Sequence, residues 1–181
     1  MISGFTPTWM IRATYDISPE TLIQLGIKVV LTDLDNTLIA WNNPYGTSEL
    51  KNWMLELERV GIQLVVVSNN SHQRVKKAVA PLGLPFVSRA LKPLPFGIKR
   101  AMRQYHVTAD QTVMVGDQLL TDVAAANASR VRSILVKPIV ASDAWNTKIN
   151  RFFEHFVMHG VKKAHPELTY RKEITINGRH N

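Results

Sequence analysis

Two aspartates one residue apart, Asp33 and Asp35, follow directly on the apolar run Lys28-Val29-Val30-Leu31-Thr32. A buried strand that ends in two carboxylates carries both to the lip of a sheet, on the side where α/β folds keep their chemistry. Acids this close are costly unless a cation sits beside them. Alone, the pair also fits a turn in which an Asp side chain caps the residues after it. Three later segments narrow that choice. Val65-Val66-Val67-Ser68-Asn69-Asn70 is a second apolar strand, ending in a hydroxyl. Leu91-Lys92-Pro93 sets a lone lysine ahead of a helix. Val113-Met114-Val115-Gly116-Asp117, with Asp122 five residues on, is a third strand ending in more acid. In this order they describe a phosphate site. Singly, each has a quieter reading: Ser68 as a helix cap, Lys92 as a solvated lysine, Asp122 as a first-turn acid on a helix dipole.

The elements that must position these groups are legible from the pattern. Strands are expected over about 28–33, 63–68, 85–87, 112–116 and 132–136, with helices over 47–60, 72–80, 95–105 and 119–128 and a short one after Ser18-Pro19-Glu20 that Gly26 closes. Strands of this kind, alternating with helices, predict an α/β fold: a doubly wound parallel sheet covered on both faces. For Asp33 and Asp117 to share one cation, the first and fourth of these strands must be neighbours. That gives the order 3-2-1-4-5 and a site at the topological switch point.

With 181 residues, 45% apolar, the chain has the size of one globular domain. It has no cysteine, which excludes disulfides and thiolate metal sites, and no apolar stretch of membrane-spanning length. The opening residues lack the charged and apolar regions of a secretion signal, so a cytoplasmic location is expected. The formal net charge of +8 is uneven: from Trp145 onward seven Lys or Arg face three Glu. Such a surplus favours an anionic partner without saying which.

Together these segments resemble the signature motifs of the haloacid dehalogenase superfamily of phosphohydrolases, over about residues 28–136. The resemblance implies a Rossmann-like sheet and a set of roles. Asp33 is the nucleophile that becomes an aspartyl phosphate. Asp35 protonates the leaving oxygen and then activates water. Mg²⁺ is held by Asp33, Asp117, the main-chain carbonyl of Asp35 and, through water or directly, Asp122. Ser68 and Lys92 bind phosphate and stabilise its developing charge, helped by backbone amides at Leu34 and Asn69. Asp at 35, where ion-pumping members have Thr, implies turnover rather than a long-lived phosphoenzyme; the acids at 117 and 122 set the chain apart from the dehalogenases. Neither interval used for lid insertion in this superfamily, 37–67 or 68–92, is long enough for one, so no cap domain is expected. Among capless members, Thr6-Pro7-Thr8-Trp9-Met10, Asp33-Leu34-Asp35-Asn36-Thr37-Leu38, Ser68-Asn69-Asn70 and Gly116-Asp117-Gln118 resemble the bacterial YqeG family, which is similar to phosphatidylglycerophosphate phosphatases. That implies an anionic phospholipid substrate. The alternatives are a soluble phosphometabolite or phosphoprotein, or an RNA- or ribosome-assembly-associated binding module; nucleic acid is not expected as the main partner.

The phosphatase domain is expected over 1–144, followed by a basic amphipathic segment over 145–181. Ile149, Phe152, Phe153, Phe156 and Val157 recur at helical spacing beside Lys148, Arg151, Lys162 and Lys163. The pattern leaves open whether the 145–163 stretch contacts the inner face of a membrane, packs on its own domain, or meets a second copy in a homo-oligomer. His155 and His159 lack a third ligand for zinc and are read as solvent-facing.

Overall fold

Val, Ile and Leu in unbroken runs point side chains to both faces of a strand, which is stable only if both faces are covered. The computed structural model describes residues 3–40, 43–140 and 148–175, with the backbone alone for 148–152. Six parallel strands, β1 (Trp9–Ile11), β2 (Val29–Thr32), β3 (Gln63–Val67), β4 (Phe86–Val87), β5 (Thr112–Gly116) and β6 (Arg132–Val136), form one sheet in the order β1-β6-β5-β2-β3-β4. The five strands expected from the sequence thus take the expected order. What the sequence reading left out is β1, which pairs Trp9 to Ile11 with Ile134 to Val136 at the outer edge. A three-residue strand is too short to show a period.

Helices α1 (Pro19–Gln24), α2 (Ser48–Arg59), α3 (His72–Val79), α4 (Phe96–Gln104), α5 (Ala124–Ala128) and α6 (Lys148–Ala164) complete the fold. The hydroxyls of Ser18, Thr47 and Ser71 accept from the third residue on, so α1, α2 and α3 begin where the caps say. Alternate residues of each strand build two cores. Val30, Val66, Val113 and Val115 pack with Leu50, Trp53 and Leu57 of α2 and Val75 of α3. Val29, Leu31, Val65, Val67 and Met114 pack with Ile98 and Ala101 of α4 and Ala125 and Ala126 of α5. A third cluster joins Met10, Leu119, Val123 and Leu135 to Val161 of α6. The 119–128 helix expected from the sequence starts as a wide π-helical turn, Leu119–Val123, before α5.

Between β2 and β3 the described residues hold α2 and its loops, and between β3 and α4 they hold α3, a single 3-10 turn and β4. Among the described residues no cap domain is inserted in either interval. Register then fixes the chemistry: Thr32 of β2 lies between Val66 of β3 and Val115 of β5, so Asp33, Ser68 and Asp117 all leave the sheet at its carboxyl edge.

Candidate active site

Asp33 is held at the end of β2 by its own amide, which donates to Val115 O at 2.9 Å. The chain then doubles back tightly. Asn36 adopts φ 61°, a left-handed conformation that Asn tolerates better than most residues, while Leu38 and Ile39 amides both return to Leu34 O. This turn buries Leu34 and Thr37 and leaves the Asp33 and Asp35 carboxyls reachable, 14% and 22% exposed. Thr37 Oγ1 donates to Asp117 Oδ1 at 3.0 Å, a link between the loops after β2 and β5 that no pattern in the sequence singles out.

Lys92 enters from the loop after β4. Its Nζ donates to Asp33 Oδ1 at 2.6 Å and Asp122 Oδ1 at 2.7 Å. The side chain of Asn69 fixes this lysine's backbone, accepting from Lys92 N at 2.7 Å and donating to Lys92 O at 2.9 Å. Asp122 comes from the π-helical turn, where its Oδ2 also accepts from Gln118 N at 3.2 Å. Gly116 makes the fit possible, because a Cβ there would lie 2.3 Å from Asp122 Cγ. Oxygens of Asp33, Asp117 and Asp122 lie within 4.8 Å of one another, and among the described residues they form the one acidic or histidine cluster close enough to hold a metal ion. His155 and His159 are exposed.

One ammonium against three carboxylates leaves the cluster short of positive charge. Burial works to lower the Lys92 pKa, but Asp122 and Asp33 outweigh it and hold the lysine above its ordinary value. The acids feel mainly burial and each other. Burial raises Asp122 to about 6 despite Lys92, and burial with the nearby Asp122 and Asp33 raises Asp117 well above the usual carboxylate range. A cation coordinated by hard oxygens would relieve this repulsion, and the donor set fits one.

Asp35 sits apart from that cluster. Its Oδ2 accepts from Asn70 Nδ2 at 2.7 Å and its Oδ1 lies 3.6 Å from Arg74, which also donates to Asn70 Oδ1 at 3.2 Å. Burial and the adjacent Asp33 raise its pKa, against Arg74, Asn70 and Lys92. Ser68 is buried, and its Oγ accepts from Asn70 N at 3.2 Å. Its own proton is thereby left for an acceptor in the cleft.

Several participants were not read from the sequence: Thr37, the Asn69 and Asn70 side chains, Arg74, and Glu154 of α6, whose carboxylate accepts from the Leu119 amide and, at 3.2 Å, from the Leu120 amide. Tyr170, raised to about 12 by burial with Asp117 and Glu154 nearby, closes the same side. Arg74 at i+4 from Asn70 was the one legible signal among them. A pocket of about 590 Å³ between α2 and the 81–85 turn opens at the opposite, amino edge of the sheet. One of about 400 Å³ opens at the carboxyl edge, lined by Thr37, Leu38, Ile39, Tyr15, Arg12 and Lys137 among others.

The HAD-hydrolase-like family model matches residues 90–164. The chain is 38% identical over 159 residues to a Bacillus subtilis (strain 168) protein named "Probable phosphatase YqeG", covering 88% of this chain and 92% of that one. It is 26% identical over 124 residues to a phosphoglycolate phosphatase of Colwellia psychrerythraea, covering 64% and 54% respectively. Among solved structures it is similar in fold to Bs-TpNPPase, with a TM-score of 0.52 at 14% identity over 68% of this chain and 93% of that one.

Proposed function

Because the chain belongs to the YqeG family of haloacid dehalogenase-like phosphatases, we propose that it hydrolyses phosphatidylglycerophosphate to phosphatidylglycerol through an aspartyl phosphate on Asp33. The observation that carries the catalytic part is the meeting of Asp33, Lys92, Asp117 and Asp122 at one sheet edge, with Asp35 held alongside but separately. Asp33, Asp117 and the main-chain carbonyl of Asp35 would hold Mg²⁺, with Asp122 taking part through water or directly. When bound, Mg²⁺ neutralises the approach of a carboxylate to a phosphate dianion.

The protein's own groups do the rest. Asp33 attacks phosphorus while Lys92, held by the Asn69 side chain, offsets charge on the equatorial oxygens. Ser68 Oγ and the amides of Leu34 and Asn69 bind those oxygens. Asp35 is raised by burial and by Asp33, which favours the protonated form that donates to the departing alcohol oxygen. The carboxylate so formed, steadied by Asn70 and Arg74, then takes a proton from the water that attacks the aspartyl phosphate.

The lipid substrate draws on the family likeness, on the open capless cleft, and on the 400 Å³ cavity that shares Thr37 with the acid cluster. Its walls are apolar at Leu38, Ile39 and Ile139 while Arg12 and Lys137 supply positive charge, which suits an alcohol carrying a phosphodiester and an apolar body. The test is phosphate release from detergent-dispersed phosphatidylglycerophosphate, with Mg²⁺ and with chelator. Metal-dependent release that falls at least about a thousandfold in Asp33→Asn is expected; a phosphatase active on soluble esters that ignores this lipid would refute the substrate assignment.

A further inference from the structure

The loop that delivers Lys92 to the acids exposes far more apolar surface than a solvated loop needs. Leu91, Leu94 and Phe96 are 57%, 51% and 59% exposed, while Lys92 between them is buried against Asp33 and Asp122. The three therefore stand at the lip of the cleft. Their outward placement is built in. Arg89 and Leu91 hold left-handed φ values of 48° and 59°, Leu94 N donates to Leu91 O at 2.8 Å, and the Asn69 side chain clamps Lys92 on both sides. A non-glycine residue in that conformation is strained, so the loop holds this shape against the local preference of its residues. On the far side of Asp122, α6 is tied in by Glu154 and exposes Phe153 and Phe156.

Charge of one sign runs along the same part of the chain. From Arg59 to Ala109 the chain contains no Asp or Glu and nine Lys or Arg. Arg89, Lys99 and Arg100 of that stretch are exposed beside the apolar trio. Exposed Leu and Phe ringed by cations, with no acid interspersed, match the acyl and headgroup layers of an anionic bilayer. Phe96 is the single ring of the three, too little for a run of stacked bases, and a second copy would bring like charges together.

We propose that the 89–100 segment is a membrane-docking lip: Leu91, Leu94 and Phe96 enter the headgroup–acyl boundary, Arg89, Lys99 and Arg100 pair with lipid phosphates, and the bilayer itself covers the capless cleft. This rests on the lipid reading above. The substrate then reaches Asp33 without leaving the membrane plane, and the membrane contact that the pattern of 145–163 left open falls to the catalytic lysine's own loop.

Sedimentation of the full chain with phosphatidylcholine vesicles, with and without phosphatidylglycerol, tests it against the double variant Leu94→Ser/Phe96→Ser. Both side chains are exposed and neither touches the acids, so the variant's melting temperature and p-nitrophenyl phosphate turnover should match the parent's. Expected is binding to the anionic vesicles only, weakened about tenfold or more in the variant. Equal binding by both proteins, or none by either, overturns the proposal. So does self-association lost in the variant without vesicle binding, which would make this face an interface between copies, or salt-sensitive RNA binding that the variant retains in place of vesicle binding. The substrate assignment fails separately: dispersed phosphatidylglycerophosphate left intact by a protein that still docks through these residues refutes the lipid substrate and keeps the docking lip. Hydrolysis of dispersed lipid with no vesicle binding does the reverse.

Discussion

Lys92 is the residue on which the cluster's electrostatics turn. Among the described residues it is the one cation in contact with Asp33 and Asp122, and Asp117 adds a third negative charge nearby. Taking away one partner of a buried ion pair leaves uncompensated charge, at a cost of about 3 kcal/mol or more. Lys92→Met should lose roughly that much stability in metal-free protein and regain part of it with Mg²⁺, as read by urea unfolding in chelator and in excess metal. A loss unchanged by metal would mean that the acids do not share a cation site. The types and spacing of Asp33, Asp35, Ser68, Lys92, Asp117 and Asp122 were legible because strand ends are legible. Their supports were not: Thr37, Asn69, Asn70 and Arg74 act across gaps that only the folded backbone closes, as with the Thr37 to Asp117 bond between residues 80 positions apart.

At the scale of elements, β2 and β5 lie side by side as a shared cation site requires, so a chemical expectation fixed a topology that periodicity leaves free. The wide turn after β5 was harder to foresee. Leu119–Val123 reads as ordinary helix, yet it opens into a π-helical turn that sets the Asp122 carboxyl over Gly116 and under Lys92. Its first amides are satisfied by Glu154, from a helix that sequence patterning connected only with aromatics and lysines. Those aromatics divide. Val157 and Met158 pack toward the edge cluster with Val161, whereas Phe153 and Phe156 face solvent; the Ile149 and Phe152 side chains lie outside the described residues. Glu154→Ala removes a charge-assisted cap from the turn that bears Asp122. It should cost about 1–2 kcal/mol and weaken Mg²⁺ binding measured by calorimetry, while Glu154→Gln, which keeps acceptor oxygen on the side chain, recovers part of both. Unaltered metal affinity in Glu154→Ala would confine the residue to holding α6.

Across the whole molecule, stability, pH and metal are linked through the same acids. Asp122 is raised in the folded protein to about 6 and burial beside Asp122 and Asp33 raises Asp117 well above the usual carboxylate range, so the folded state holds protons that the unfolded chain releases. The stability these groups contribute is present in full below the ordinary carboxylate range and is lost as pH rises through their folded values. Metal-free protein should therefore lose melting temperature as pH rises from about 4 through about 6, and saturating Mg²⁺ should raise it most at the upper end, where the acids are ionised. No helix among the described residues is long and apolar enough to cross a membrane. The most direct test of the account is a quenched single turnover of the intact enzyme with Mg²⁺ and a phosphomonoester, analysed by peptide mass. A phosphoryl adduct on the peptide containing Asp33, formed before free phosphate and absent in Asp33→Asn, is the expected result. Phosphate released at full rate with no adduct, or release that survives Asp33→Asn, would contradict it.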